Sequence, residues 1–142
     1  MDDASDLTDF ARKVLAAQPF SVFIGAELVS AGRDRAELSL PIIDHLKQQH
    51  GFVHGGVISY LADNSMTFAG GLALGGGALT SEFKINYVRP AIGSRLTARA
   101  RAKSVGKRQA VCQCEIYVLQ DGIEKVCALA QGTVVKATGE AN

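Results

Sequence analysis

The sequence has no tryptophan, three prolines and three cysteines among its 142 residues. With so few prolines, its 15 glycines read as structural punctuation and not as low-complexity linker. The odd cysteine count, with Cys112 and Cys114 alternating on one side of an apolar run, points to small buried hydrophobes in a reducing compartment. No apolar run approaches the roughly 18 residues of a membrane-spanning helix. Neither charge sign is in excess: 15 Lys and Arg face 14 Asp and Glu, so bulk charge gives no case for nucleic-acid binding. The N-terminus, MDDASDLTDF, is acidic and lacks the basic start of a signal or transit peptide. A cytoplasmic protein is expected.

What is present suits one domain over residues 1–142. Apolar residues make up 47% and charged residues 20%, which excludes a disordered chain. A chain this long buries roughly two thirds of its unfolded surface, enough for a core without metal or disulfide staples. Leu7, Phe10, Ala11, Val14 and Leu15 recur at helical spacing, predicting a short amphipathic helix over about 7–17. Phe20 to Ser30 is apolar and β-prone, Gly32 and Arg33 read as a turn, and Arg35 to Leu40 alternates up to Pro41. A polar loop over His45–His54 precedes the longest helical pattern, Gly55 to Leu74, which stops at Gly75, Gly76 and Gly77.

Four β-type runs follow. The first sets Leu79, Ser81, Phe83, Ile85 and Tyr87 against Thr80, Glu82, Lys84 and Asn86. Arg95–Lys103 and Gln109–Leu119 come next, and Asp121-Gly122 signals a hairpin into Ile123–Lys136. Strands on both sides of one long helix indicate an α+β fold with an antiparallel sheet.

The long helix is unusual. At 100° per residue its apolar positions cover a very wide arc, and Ser59, Asp63, Asn64 and Thr67 fill the narrow remainder. Between His45 and Ser81 the only acidic residue is Asp63. A helix apolar nearly all round is buried nearly all round, so a wrapping sheet and a second subunit are expected to enclose it. Asp63 is then either a solvated aspartate on an open side or a carboxylate held for use. His54-Gly55-Gly56 starts the helix, where free N–H groups and the helix dipole gather. Such glycines serve a tight turn and close packing, or let a reacting carbonyl oxygen approach an oxyanion hole. His45, His50 and His54 read as loop histidines or as a metal cluster lacking a fourth ligand. The glycines after the helix are no phosphate loop, since no Lys-Ser or Lys-Thr follows. No G-x-S-x-G elbow occurs. Arg89, Lys107 and Arg108, from the one basic concentration, are solvated charges or contacts to phosphate.

The segment Gln48-x5-His54-Gly55-Gly56-x6-Asp63-x3-Thr67, with Asn86-Tyr87-Val88-Arg89-Pro90-Ala91 later, resembles the hotdog-fold acyl-CoA thioesterases. The nearest branch is the phenylacetate-pathway type, related to one class of 4-hydroxybenzoyl-CoA thioesterase. The resemblance implies a hotdog fold, an antiparallel sheet wrapped around one long central helix. It implies hydrolysis of an acyl-CoA to free acid and CoA, with no metal or cofactor beyond the CoA of the substrate. It assigns Asp63 as nucleophile or general base, acting across a dimer interface on a thioester polarised by the Gly55 N–H. It makes His54 a support for that loop, Gln48 an amide near the carbonyl or the water, and Thr67 a hydroxyl that positions the water. Thr80 falls where some relatives place a serine, and Gly56, Asn64, Arg89, Lys107 and Arg108 are candidate substrate contacts. Self-association as a dimer or dimer of dimers is implied, with neither nucleic acid nor membrane as partner. Gln48 departs from the family's commoner Asn, and Asp63 from the Glu of some members. Two other activities fit the same fold: a non-catalytic acyl-CoA-binding regulator, and an enoyl-CoA hydratase.

Overall fold

Two helices open the chain in the computed structural model, which describes residues 3–137. Helix α1 (Asp3–Ala16) begins four residues before the periodicity predicts. Helix α2 (Pro19–Ile24) occupies the first half of the stretch expected to be a strand. The reason is local: Pro19 sits in the first helical turn and Gly25, at φ 83°, caps the end in the left-handed region. These brackets outweigh the β propensity of Phe20, Val22 and Phe23.

Strand β1 (Glu27–Gly32) and strand β2 (Arg35–Pro41) form a hairpin whose turn residues are Arg33 and Asp34, one position later than expected. Helix α3 (Gly55–Leu74) spans the predicted range at both ends. Strands β3 (Ala78–Tyr87), β4 (Arg95–Val105), β5 (Gln109–Gln120) and β6 (Ile123–Lys136) complete the fold. Asp121 and Gly122 both take positive φ, 53° and 77°, as the tight turn between β5 and β6 requires.

All strand pairs are antiparallel, in the order β1-β2-β4-β5-β6-β3. Helix α3 touches every one of the six strands. A flat sheet of six strands is about 24 Å across and a helix only about 10 Å, so these contacts require the sheet to curl around α3. The core lies between them. Leu61 and Met66 of α3 meet the fully buried Leu38, Leu96, Ile116 and Val134 of the sheet. Each such side chain contributes about 1.5–3 kcal/mol by leaving water. Val57, which the helical arc puts in the core, is only half-buried.

Strand β3 departs from simple alternation. Its register with β6 slips between Thr80 and Glu82, a bulge at Ser81. Just past it Phe83 pairs with Gly132, where a Cβ would fall 2.5 Å from the Phe83 Cβ and 2.6 Å from the Glu82 carbonyl oxygen. The bulge turns Thr80 to the same side as Phe83 and Ile85, contrary to the period-two expectation that set them on opposite sides.

Candidate active site

Asp63 lies near the middle of α3 and is half-buried. The Thr80 hydroxyl donates to its Oδ1. The Thr67 hydroxyl, one turn along, lies 2.8 Å from the Asp63 carbonyl oxygen, 3.4 Å from Oδ1 and 2.7 Å from the Thr80 hydroxyl. The spacing of four residues on a helix explains Thr67, and the β3 bulge explains Thr80. Among the described residues, Oδ2 of Asp63 takes no hydrogen bond. The carboxylate is thus anchored by one oxygen and free at the other.

Asn64 turns away from this cluster. Its side-chain amide donates to Gln18 Oε1 at 2.9 Å and to the Tyr60 hydroxyl at 3.1 Å. Ser21 joins the same network, 2.6 Å from Gln18 Oε1 and 2.5 Å from the Tyr60 oxygen. Burial pushes the Tyr60 phenol above its ordinary pKa, partly offset by the bonds to Ser21 and Asn64. These contacts fasten the α1–α2 junction to α3, a connection that sequence periodicity does not carry.

The second constellation sits at the start of α3. His54 is the N-cap, and its Nδ1 accepts from the Gly56 N–H at 2.8 Å. The Val57 N–H donates to the His54 carbonyl at 2.9 Å. That leaves the Gly55 N–H without a protein acceptor among the described residues, while the Gly56 N–H is already taken. Gln48 folds its Oε1 back onto the His50 and Phe52 N–H groups, so it braces the loop that carries His54. A cavity of about 380 Å³ opens here, lined by Gln48, Phe52, Gly55, Tyr87 and Arg89. The Tyr87 hydroxyl donates to the Gly55 carbonyl oxygen at 3.2 Å and lies 2.5 Å from the Ser59 hydroxyl. Tyr87 thus holds the helix start, a role its place in the strand pattern does not announce.

Lys107 and Arg108 are exposed at the β4–β5 turn. The Arg108 carbonyl accepts from the Lys136 N–H, and Lys136 pairs with Ala78 at the start of β3. They therefore lie at the other end of β3 from Tyr87 and Gly55. His45, His50 and His54 are all exposed, and among the described residues no three His, Cys, Asp or Glu side chains cluster as a metal site. The cysteines are free and buried. Burial pushes the thiols of Cys112 and Cys127 up to about 11 and that of Cys114 to about 12, so none is a nucleophile near neutral pH. No helix among the described residues is long and apolar enough to cross a membrane.

A six-stranded antiparallel sheet curled around one long helix is the hotdog fold. The model of the thioesterase superfamily matches residues 50–125, which include His54, Gly55, Asp63, Thr67 and Thr80. The chain belongs to that superfamily and is a thioester hydrolase. It is 30% identical to the 1,4-dihydroxy-2-naphthoyl-CoA hydrolase of Escherichia coli K12, over 67% of this chain and 71% of the relative. The crystal structure of a thioesterase family protein from Silicibacter pomeroyi superposes with a TM-score of 0.86 at 32% identity, over 91% of this chain and 96% of the other. The E. coli PaaI protein from the phenylacetic acid degradation operon shares the fold, with a TM-score of 0.85 at 22% identity, over 99% of this chain and all of the other.

Proposed function

We propose that the protein hydrolyses an acyl-CoA thioester to the free acid and CoA, with Asp63 as nucleophile or general base and the Gly55 N–H polarising the thioester carbonyl. One observation carries this reading: a carboxylate tied down through Oδ1 by Thr80, with Oδ2 open. Oδ2 either attacks the carbonyl carbon, forming an anhydride that water then opens, or takes a proton from the attacking water. Both routes consume one water and release one acid and one thiol. The carbonyl oxygen gains charge in each, and an N–H at a helix start stabilises it where it forms. His54 and Gln48 hold the loop that aims Gly55, Thr67 positions the attacking water, and Arg89 of one protomer, with Lys107 and Arg108 of the other, meets the CoA phosphates. The reaction calls on no metal or further cofactor.

Gly55 and Asp63 lie eight residues apart on one helix, so about 12 Å separates them along its axis. A single carbonyl group cannot reach both. The reading therefore requires a homodimer in which Asp63 of one protomer faces Gly55 of the other. Strand β3 ends the sheet with ten residues and one unpaired side, which suits pairing with a second copy. A reducing cytoplasm suits the three unpaired cysteines.

Release of free thiol from a panel of acyl-CoAs tests the activity. Asp63→Asn and Asp63→Ala are expected to lower it by on the order of 10³-fold, and wild-type rates in either variant overturn the mechanism. Single-turnover hydrolysis in oxygen-18 water separates the routes: label first incorporated into Asp63 marks the anhydride.

A further inference from the structure

The sheet has two edge strands, β1 and β3, and they are finished differently. Along β3, no side chain among the described residues bonds to the backbone on the side away from β6. Along β1 the outer side is taken, and helix α1 takes it. The Thr8 hydroxyl accepts from the Ala31 N–H at 3.0 Å and donates to the Ala31 carbonyl at 3.2 Å. One side-chain oxygen thus makes both of the bonds that a facing residue exchanges in an antiparallel ladder. A bulge at Val29, where the register with β2 shifts, brings the Leu28 and Val29 carbonyls within reach of one guanidinium. Arg12 donates to both, each at 3.0 Å, and Asp9 lies 3.8 Å from its remaining nitrogen.

The spacing explains why a helix can do this. Thr8 and Arg12 are four residues apart, which is about 6 Å of helix rise. Alternate residues of a strand are about 7 Å apart. Side chains at i and i+4 therefore meet successive outward groups of a strand that runs the opposite way, here Ala31 and then Val29. Ala11 and Leu15, also four apart, are buried and pin the helix in that position. At the entrance to β1 the Ala26 N–H donates to the Ser21 carbonyl of α2 at 3.0 Å. An edge whose N–H and C=O groups are already bonded is no template for a second strand.

We propose that α1 is a seal on the β1 edge, with Thr8 and Arg12 as the sealing residues, and that it keeps β1 from pairing with the β1 of a second copy. With β1 sealed, β3 is the edge left open, and pairing of like edges about a two-fold axis closes the assembly. A chain with both edges open would join β3 to β3 and β1 to β1 without end. The seal stands on the α1 contacts. The open-ended growth rests in addition on the β3 dimer of the functional reading.

Sedimentation velocity over a concentration series tests this, comparing the parent protein with Thr8→Ala/Arg12→Ala. Alanine keeps the helix while removing every bond to β1. The double variant is expected to form species larger than the parent, with a mass that climbs with concentration. Adding Val29→Lys sets a charge on the opened edge and is expected to restore the parent mass. Val29 is 42% exposed, so the lysine reaches water from there. Growth that Val29→Lys leaves untouched does not run through β1 and overturns the proposal. A double variant that keeps the parent mass at every concentration also overturns it, and leaves the β3 dimer standing. A monomeric parent whose double variant stops at a dimer keeps the seal and overturns the pairing through β3.

Discussion

The start and the middle of α3 present opposite chemistry. At the start, the Gly55 N–H is a donor without an acceptor among the described residues, set in a loop braced by His54, Gln48 and Tyr87. Eight residues on, Asp63 is an acceptor with donors on one oxygen only. Under the proposed mechanism each supplies half of what acyl transfer needs, and two turns of helix keep the halves apart. On the proposed reading, the difference teaches that a single protomer would be an incomplete catalyst, with each half already held by its own hydrogen bonds.

The sharpest way to break this comparison is to remove one half at a time. Asp63→Ala is expected to lower kcat by on the order of 10³-fold, measured by thiol release, since it deletes the reacting group. Gly55→Pro is expected to cost on the order of 10²-fold in kcat by deleting a single oxyanion donor. Proline suits the first helical position, and the residue before it already has φ −61° and ψ 134°, as proline requires. Circular dichroism of Gly55→Pro should then be unchanged.

Mixing the two variants sharpens the point. In a heterodimer with one Asp63→Ala chain and one Gly55→Pro chain, one of the two composite sites has both halves intact. Co-expressed, doubly tagged heterodimer should recover up to about half of the parent activity, by two-fold symmetry. No recovery places both halves in one chain and overturns the shared site. A smaller effect is expected at Thr80→Val. Loss of a hydrogen bond to a charged group costs about 1.5 kcal/mol, or about tenfold in kcat. The smallest is Arg89→Ala, where KM for the CoA ester should rise a few-fold at low salt and less at high salt, because exposed charges are screened.

Much of this was legible in the sequence. Helix α3 was readable to its end residues, because Gly55-Gly56 and Gly75-Gly76-Gly77 punctuate an apolar pattern of the right period. Strands β4, β5 and β6 alternate cleanly, since one face meets α3 and the other meets water. Asp63 stood out as the one acid on that helix. Two features were hidden for physical reasons. Helix α2 is six residues long, too short for periodicity to outweigh its β-prone composition. The bulge at Ser81 changes the phase of β3 without changing its composition, so Thr80 appeared to face away from Phe83. A cavity of about 490 Å³ between α1 and α3, lined by Phe10, Val14 and Phe68, was equally hidden. Leu7, Phe10, Ala11, Val14 and Leu15 read as one apolar face of an amphipathic helix, but α1 docks through Arg12 and Thr8 so that Ala11 and Leu15 are buried while Phe10 and Val14 stay exposed.

That single extra residue in β3 has a consequence for how the gene can vary. Deleting Ser81 would restore regular pleating and keep Thr80 on the side of Phe83 and Ile85, because Thr80 and Glu82 already pair with the adjacent Val134 and Thr133. A strand one residue shorter at this point should therefore keep Thr80 beside Asp63, whereas Thr80→Val removes the contact with strand length unchanged. Relatives that lack the bulged residue would then carry the same inward-facing hydroxyl on an evenly pleated strand, two positions apart from the aromatic side chain that it accompanies here by way of the bulge.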